Sequence, residues 1–375
     1  MRTTMYLLSR ITTVHIALTL LPLLLVSAGF DARVPRPVLF TIKDLGTFGG
    51  STRASGLNDR GQVAGYSFGT PSQAHAFRYT EGIGLLDLSR IANNPNTYGA
   101  GINKSGQVSG SIDRSAGAGG YHAYRFTDGV GLVDLGSLPG YRFSYGGPIN
   151  KSGQVAGTAY GHDPDMSRAY RYTDGTGMED LGSLVPGRSS FVEGMNNAGH
   201  VVGTAEVLTT PPGYEWNPGH AFLYRSRRGM QDLNKMIDTS LDWELRRASA
   251  INDEGQIVGF GEHKGVGVRA YRFHNGKVKD LGTFPGGGLS YALGINNRGD
   301  VVGAAYLDAS GAGNFRAMLY TDARGIQNLN DLIDPSLGWV LRKAVAINNR
   351  GQIAGWGELK GEERAFLLTP NKSFQ

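Results

Sequence analysis

The chain contains no cysteine, so neither a disulfide framework nor a thiolate ligand or nucleophile is available to it, and stability must come from packing. Charge is sparse too: Asp, Glu, Lys and Arg make up 18% of the residues, with a formal net charge of +5. Arg2 and Arg10 belong to a leading segment, and the remaining excess of +3 is dispersed. That argues against nucleic acid as a partner. Beyond that leading segment no apolar run approaches the roughly 20 residues of a membrane span, so no span is expected in the mature chain. Catalytic signatures are missing as well. There is no Gly-x-Ser-x-Gly elbow, no phosphate loop and no His-Glu-x-x-His, and no cofactor is expected.

What the sequence has instead is a repeated phrase. Ala250-Ile-Asn-Asp-Glu-Gly-Gln-Ile-Val-Gly259 occurs in seven versions, anchored at Asn58, Asn103, Asn150, Asn196, Asn252, Asn296 and Asn348. The steps between anchors are 45, 47, 46, 56, 44 and 52 residues, the spacing of an array of small units that cannot bury their own faces singly. Each anchor follows an apolar residue, such as Leu57 or Ile102, and precedes a glycine by three positions, as at Gly61 and Gly106. This pattern predicts a β-hairpin. The Asn side chain accepts a bond from the backbone two residues on, and the glycine takes the positive φ that closes the turn. An asparagine present in every repeat is read as turn chemistry rather than as a sevenfold ligand site.

Past the hairpin, each repeat continues to a third strand, such as His75-Ala-Phe-Arg-Tyr79, and then to a fourth, such as Gly131-Leu-Val-Asp-Leu-Gly136. Aromatic and β-branched residues alternate with small ones, which favours strands throughout. Four short strands in about 45 residues is the size of a propeller blade. The last repeat stops at Ala365-Phe-Leu-Leu368 without a fourth strand, and a lone strand, Phe40-Thr-Ile-Lys-Asp-Leu-Gly46, precedes the first anchor. The fold expected is therefore all-β, a single seven-bladed propeller over residues 38–375 closed by the N-terminal strand completing the C-terminal blade. Residues 1–28 read as a secretory signal peptide, with basic Arg2 and Arg10, an apolar stretch from Ile16 to Val26 and small residues at Ser27 and Ala28. Cleavage after Ala28, a linker over 29–37 and a secreted or periplasmic monomer are expected.

The phrase Gly-Ile-Asn-x-x-Gly-Gln-Val-x-Gly, followed by His-Ala-Phe and Asp-Leu-Gly, resembles the bacterial HAF-family extracellular repeat, whose name is spelled out at His75-Ala76-Phe77 and His220-Ala221-Phe222. The likeness runs from Phe40 to Leu368 and implies export and repeat architecture, with no catalytic residues to transfer. Four of the seven repeats depart from it by carrying Arg in place of His.

The His or Arg that opens each third strand and the Asp or Asn of each fourth strand suggest a polar lock, one per blade. Function is expected on the opposite side from the short Asn-x-x-Gly turns, where the variable loops emerge. The tryptophans and a set of tyrosines are assigned to those loops. Trp243 and Trp339 recur in a repeated phrase and read as packing residues. Trp216, Tyr214, Tyr121, Tyr141, Tyr145, Tyr160 and Trp356 are the candidates to bind a glycan or an extended protein segment, because a flat apolar ring with a polar handle stacks and is still wetted. Gly161-His-Asp-Pro-Asp-Met-Ser167 is read as a solvated turn rather than a metal site. Glu193, Glu206, Glu215, Glu262 and Asp308 would have to meet in one pocket for the alternative, a glycan-active hydrolase or lyase. A third reading is a non-catalytic envelope or matrix component, without pocket or ligand.

Overall fold

The computed structural model describes residues 38–69, 73–94, 96–114, 120–161, 166–207, 219–309 and 313–371. The signal and linker readings, Tyr214, Trp216, Glu215 and residues 162–165 of the polar turn lie outside these residues. The described chain is a seven-bladed β-propeller of four-stranded antiparallel sheets. Blade 1 comprises Thr52–Leu57, Val63–Phe68, Ala74–Thr80 and Gly84–Asp87. Blade 7 comprises Trp339–Ile347, Ile353–Leu359 and Glu362–Pro370, and its fourth strand is Phe40–Asp44, with Phe40 opposite Pro370 and Asp44 opposite Phe366. The two ends of the fold thus complete one sheet. Among the described residues no helix is long and apolar enough to cross a membrane.

The first strand of every blade is the innermost, and these seven strands touch one another in a ring around the axis. Each innermost strand carries a β-bulge at the same place, for example between Ala54 and Gly56 in blade 1 and between Val192 and Gly194 in blade 4. The glycine that ends each hairpin phrase sits opposite this irregularity. A Cβ on Gly110 or Gly259 would stand 1.8 Å from the carbonyl of Tyr98 or Arg247, so only glycine lets the second strand lie this close to the bulged one. The space above the glycine is taken by the third strand's large side chain, such as Phe77, Tyr124, Tyr170 or Phe222, each wholly buried. Burying one such ring contributes roughly 2–3 kcal/mol. The core is accordingly seven clusters, each drawn from two neighbouring blades; Ala156 and Ala169 of blade 3 meet Val201 and Phe222 of blade 4, for instance.

The repeated asparagine does two jobs. Within its own turn, Asn103 Oδ1 accepts from the N–H groups of Ser105 and Gln107, both at 3.1 Å, as the hairpin reading requires. Its Nδ2 donates to Gln107 Oε1 at 2.7 Å and, across the blade boundary, to the carbonyl of Asn150 at 3.0 Å. Two acceptors face Nδ2 and two donors face Oδ1, which leaves no ambiguity in the orientation of the amide. The same bond to the next anchor's carbonyl runs from Asn58, Asn196, Asn252 and Asn296, and from Asn348 back to Asn58. A second tier sits one residue on. Lys151 N–H donates to Asn197 Oδ1, Asn197 to Asp253, Asp253 to Asn297, Asn297 to Asn349 and Asn349 to Asp59. This tier stops where the next acceptor would be Lys104 or Lys151, since an ammonium offers no lone pair.

The blades are also clasped from outside. Arg78 donates to the Gly106 carbonyl at 2.8 Å and holds Asp128 in a bidentate pair, and Arg125, Arg171 and Arg272 make the same reach to Gly153, Gly199 and Gly299. Blades 4, 6 and 7 have Leu223, Leu319 and Leu367 there and lack this clasp.

The polar lock is present in part. His75, His122 and His220 meet Asp87, Asp134 and Asp232 at 3.2, 3.1 and 2.9 Å, and Arg168 lies 3.8 Å from Asp180. In blades 5 to 7 the expectation fails, because the Arg takes other acceptors, a loop carbonyl in blade 5 and a residue two positions earlier in blades 6 and 7. Arg269 donates to the Gly288 carbonyl while His263 takes Asp280; Arg316 bonds Asn314; Arg364 pairs with Glu362.

The amide ring gives a clean test. Asn103→Asp keeps both acceptor bonds of the turn but sets a carboxylate oxygen against two carbonyl-type oxygens. Asn103→Ala also strands the turn's own N–H groups. Both substitutions are expected to lower unfolding free energy by about 2 kcal/mol or more. Urea denaturation checks this, and equal stability of Asn103→Asp and wild type at neutral pH would show that the inter-blade bond carries nothing.

Candidate binding site at the aromatic mouth of the channel

Because each hairpin fixes its register at the anchor asparagine, fixed offsets from that residue arrive at fixed heights along the axis. One residue before the anchor stand Leu57, Ile102, Ile149, Met195, Ile251, Ile295 and Ile347, an apolar ring shared by the walls of two cavities. Towards the short turns lies a cavity of about 420 Å³ lined by the asparagine tiers. Towards the variable loops lies a larger one of about 720 Å³.

Five residues before the anchor, and eight after it, the innermost and second strands place a directly opposed pair at the level of the larger cavity. The pairs are Arg53 with Tyr66, Tyr98 with Ser111, Tyr145 with Thr158 and Phe191 with Thr204 in blades 1 to 4. They are Arg247 with Phe260, Tyr291 with Ala304 and Lys343 with Trp356 in blades 5 to 7. Every blade thus contributes one aromatic ring at this height. Where the innermost strand carries it, the opposing residue is small or a hydroxyl; where that strand carries a cation, the second strand supplies the ring. No blade pairs two rings across the strands beside the crowded bulge, whereas the slender stem of an Arg or Lys is accommodated opposite one.

The rings form two arcs. One runs Tyr66, Tyr98, Tyr121, Tyr145, Tyr160 and Phe191 with centroid separations of 5.2, 5.9, 5.3, 5.3 and 6.5 Å. The other runs Phe260, Tyr291, Tyr306, Phe315 and Trp356 at 4.8, 6.2, 5.8 and 6.3 Å. Guanidinium groups splice them. Arg53 lies 4.9 Å over Trp356 and is held bidentately by Glu363, and Arg247 lies over Phe260 and pairs with Glu193. Burial, reinforced by Tyr98, Asp113 and Tyr145, pushes the Tyr121 phenol up to about 12, so it stays a hydrogen-bond donor at any physiological pH. Tyr145 is the belt's most open member at 40% exposure.

Tyr121 and Tyr145 line the larger cavity, Tyr160 lines a neighbouring one with Phe191 and Phe260, and Trp356 is joined to the first arc through Arg53. These four candidates stand in strands rather than in loops, a correction to the sequence reading: the strands Tyr121–Thr127, Phe143–Ile149, Val155–Tyr160 and Ile353–Leu359 take them in. Trp243 and Trp339 also begin strands; Trp243 stacks on His263 at 4.6 Å and Trp339 packs edge-on against Phe366. Tyr141 lies in the turn between blades 2 and 3 and packs against the cluster of Leu135 and Leu138. Of the acids considered from sequence, Glu193 alone among the described residues lines the larger cavity, and no group of three His, Asp or Glu side chains there could hold a metal. Arg53, Arg247 and Lys343 were missed by reading motifs; counting five residues back from each anchor reveals them.

The pairing rule is testable by transplant. Ser111→Tyr alone sets two tyrosines against each other and is expected to cost about 1–3 kcal/mol. Adding Tyr98→Arg converts blade 2 to the arrangement of blade 1 and is expected to recover most of that loss in thermal unfolding.

No protein-family model matches the chain, and no curated protein matches it. Among solved structures it is similar to virginiamycin B lyase from Staphylococcus aureus, with 11% identity and a TM-score of 0.51 over 88% of this chain and 99% of that one. It is also similar to a TolB-like protein from Agrobacterium tumefaciens, with 13% identity and a TM-score of 0.41 over 67% of this chain and 83% of that one. At these identities the likeness to the lyase is one of fold, and the chain takes its place among propellers on that ground.

Proposed function

We propose that the chain is an exported recognition module of the HAF-repeat type that holds a glycan on its aromatic mouth. The observation that carries this reading is the presence of one aromatic ring per blade at a single register height, with Tyr66, Tyr98 and Tyr145 lining the 720 Å³ cavity. Rings that stand at van der Waals distances and keep phenolic hydroxyls at the edge offer stacking and hydrogen bonding together, the combination a pyranose ring uses. A glycan-active enzyme would need a second acid or a base beside Glu193, and Glu193 is engaged by Arg247.

Tyr145→Ala and Trp356→Ala are each expected to weaken a glycan identified on an array by about fivefold or more while leaving the melting temperature within a few degrees. Calorimetric titration measures this. Retained affinity in both variants would remove the aromatic mouth as the site, and a peptide display hit that competes with no glycan would move the assignment to an extended protein segment. For export, N-terminal sequencing of the chain recovered from outside the cytoplasm is expected to begin at Gly29; recovery of intact Met1 would overturn that part.

A further inference from the structure

Three cations occupy equivalent positions on the innermost strands, and they are not equivalent in charge balance. Arg53 meets Glu363 at 2.7 and 2.9 Å, and Arg247 meets Glu193. Lys343 has neither a carboxylate within ion-pair distance nor a hydrogen-bond partner among the described residues. It stands on the innermost strand of blade 7, and the charges that act on it come from three other blades, Arg247 and Arg53 repelling and Glu193 attracting. Val345, two residues on, lines the 720 Å³ cavity, and Trp356 lies directly across the strand pair. Burial lowers the pKa of the amine, and the two guanidinium charges lower it further.

A half-buried ammonium with more positive than negative neighbours is unfavourable in the free protein. The fold does not require it, since four blades place an aromatic residue at the same offset. We infer that the ligand of this mouth carries a carboxylate, and that Lys343 receives it. The inference rests on the glycan reading above and narrows it to acidic sugars, uronates in the first instance. One uncompensated charge set opposite a tryptophan suits a carboxylate spaced along a sugar chain. A polyphosphate backbone would call for a continuous basic stripe instead.

The experiment pairs each acidic polysaccharide (polygalacturonate, alginate, hyaluronan) with its carboxyl-reduced form, which keeps the stacking faces and removes the charge. Calorimetry on wild type, Lys343→Arg, Lys343→Met and Tyr145→Ala is expected to show about tenfold tighter binding of at least one acidic form than of its reduced partner. Lys343→Arg should keep that preference and Lys343→Met should abolish it. Thermal unfolding supplies a readout that a structural lysine would move the other way: Lys343→Met is expected to raise the melting temperature, because it removes an unfavourable charge. Equal affinity for acidic and reduced forms, a preference that survives Lys343→Met, or a lower melting temperature for that variant would each overturn the inference. If the reduced forms bind as well and Tyr145→Ala weakens both, the glycan reading stands without the acid. If no form binds, both fall.

Discussion

The bond from one blade's asparagine amide to the next blade's carbonyl is the constraint from which the rest of the architecture takes its dimensions. A primary amide has two lone pairs and two N–H groups, and here every one is used: the oxygen by its own turn, the nitrogen by the neighbouring glutamine and the neighbouring blade. The same group that sets the hairpin therefore also sets the distance between hairpins. With the turn pinned at the axis, the antiparallel register converts sequence offset into height. The apolar ring, the bulge and the aromatic belt follow as successive levels. A glycine on the second strand is then obligatory, because the bulged strand's carbonyl occupies the space where any Cβ would lie.

Much of this was legible in the amino-acid order. The period, the Asn-x-x-Gly hairpins and the complementary strand fragments at the two ends lead directly to seven blades and to the manner of closure. The second job of the asparagine was not legible, for a physical reason. Turn chemistry already accounts for its presence and spacing, so a bond to a carbonyl 44 to 56 residues away leaves no extra mark on the repeat. The candidate site was legible only in part. Tyr121, Tyr145, Tyr160 and Trp356 were singled out for being aromatic and outside the monotonous turns, yet their placement in loops was wrong. The alternation pattern that identifies strands is broken at the bulge, and the inner strands of blades 5 and 7 run longer than the others. The cations at Arg53, Arg247 and Lys343 looked like ordinary surface charge until seven offsets were laid side by side.

The cross-strand exchange at the mouth shows how a repeat can vary without losing its packing. Each blade presents one large ring at that height, and either strand can supply it. When the second strand does, as with Tyr66, Phe260 and Trp356, the innermost position is released to carry a charge. Two of the three charges are absorbed by Glu363 and Glu193, which makes the guanidinium groups part of the belt itself, stacked on the rings they separate. The asymmetry of the site therefore arises from three local choices within a sevenfold framework, and the scaffold below it is unaffected.

The sheet shared by Phe40–Asp44 and Glu362–Pro370 has a consequence in time as well as in space. The pairs it makes, from Phe40 with Pro370 to Asp44 with Phe366, join residues more than 300 positions apart, the longest loop the chain has to close. A chain emerging from its N-terminus holds the missing strand of the final blade from the outset and can pair it only after the last repeat has been made. Until then the strand that precedes the first hairpin is an unpaired edge, and the early blades present an open arc whose end faces have no neighbour to cover them. Completion of the ring thus waits on the strand Glu362–Pro370.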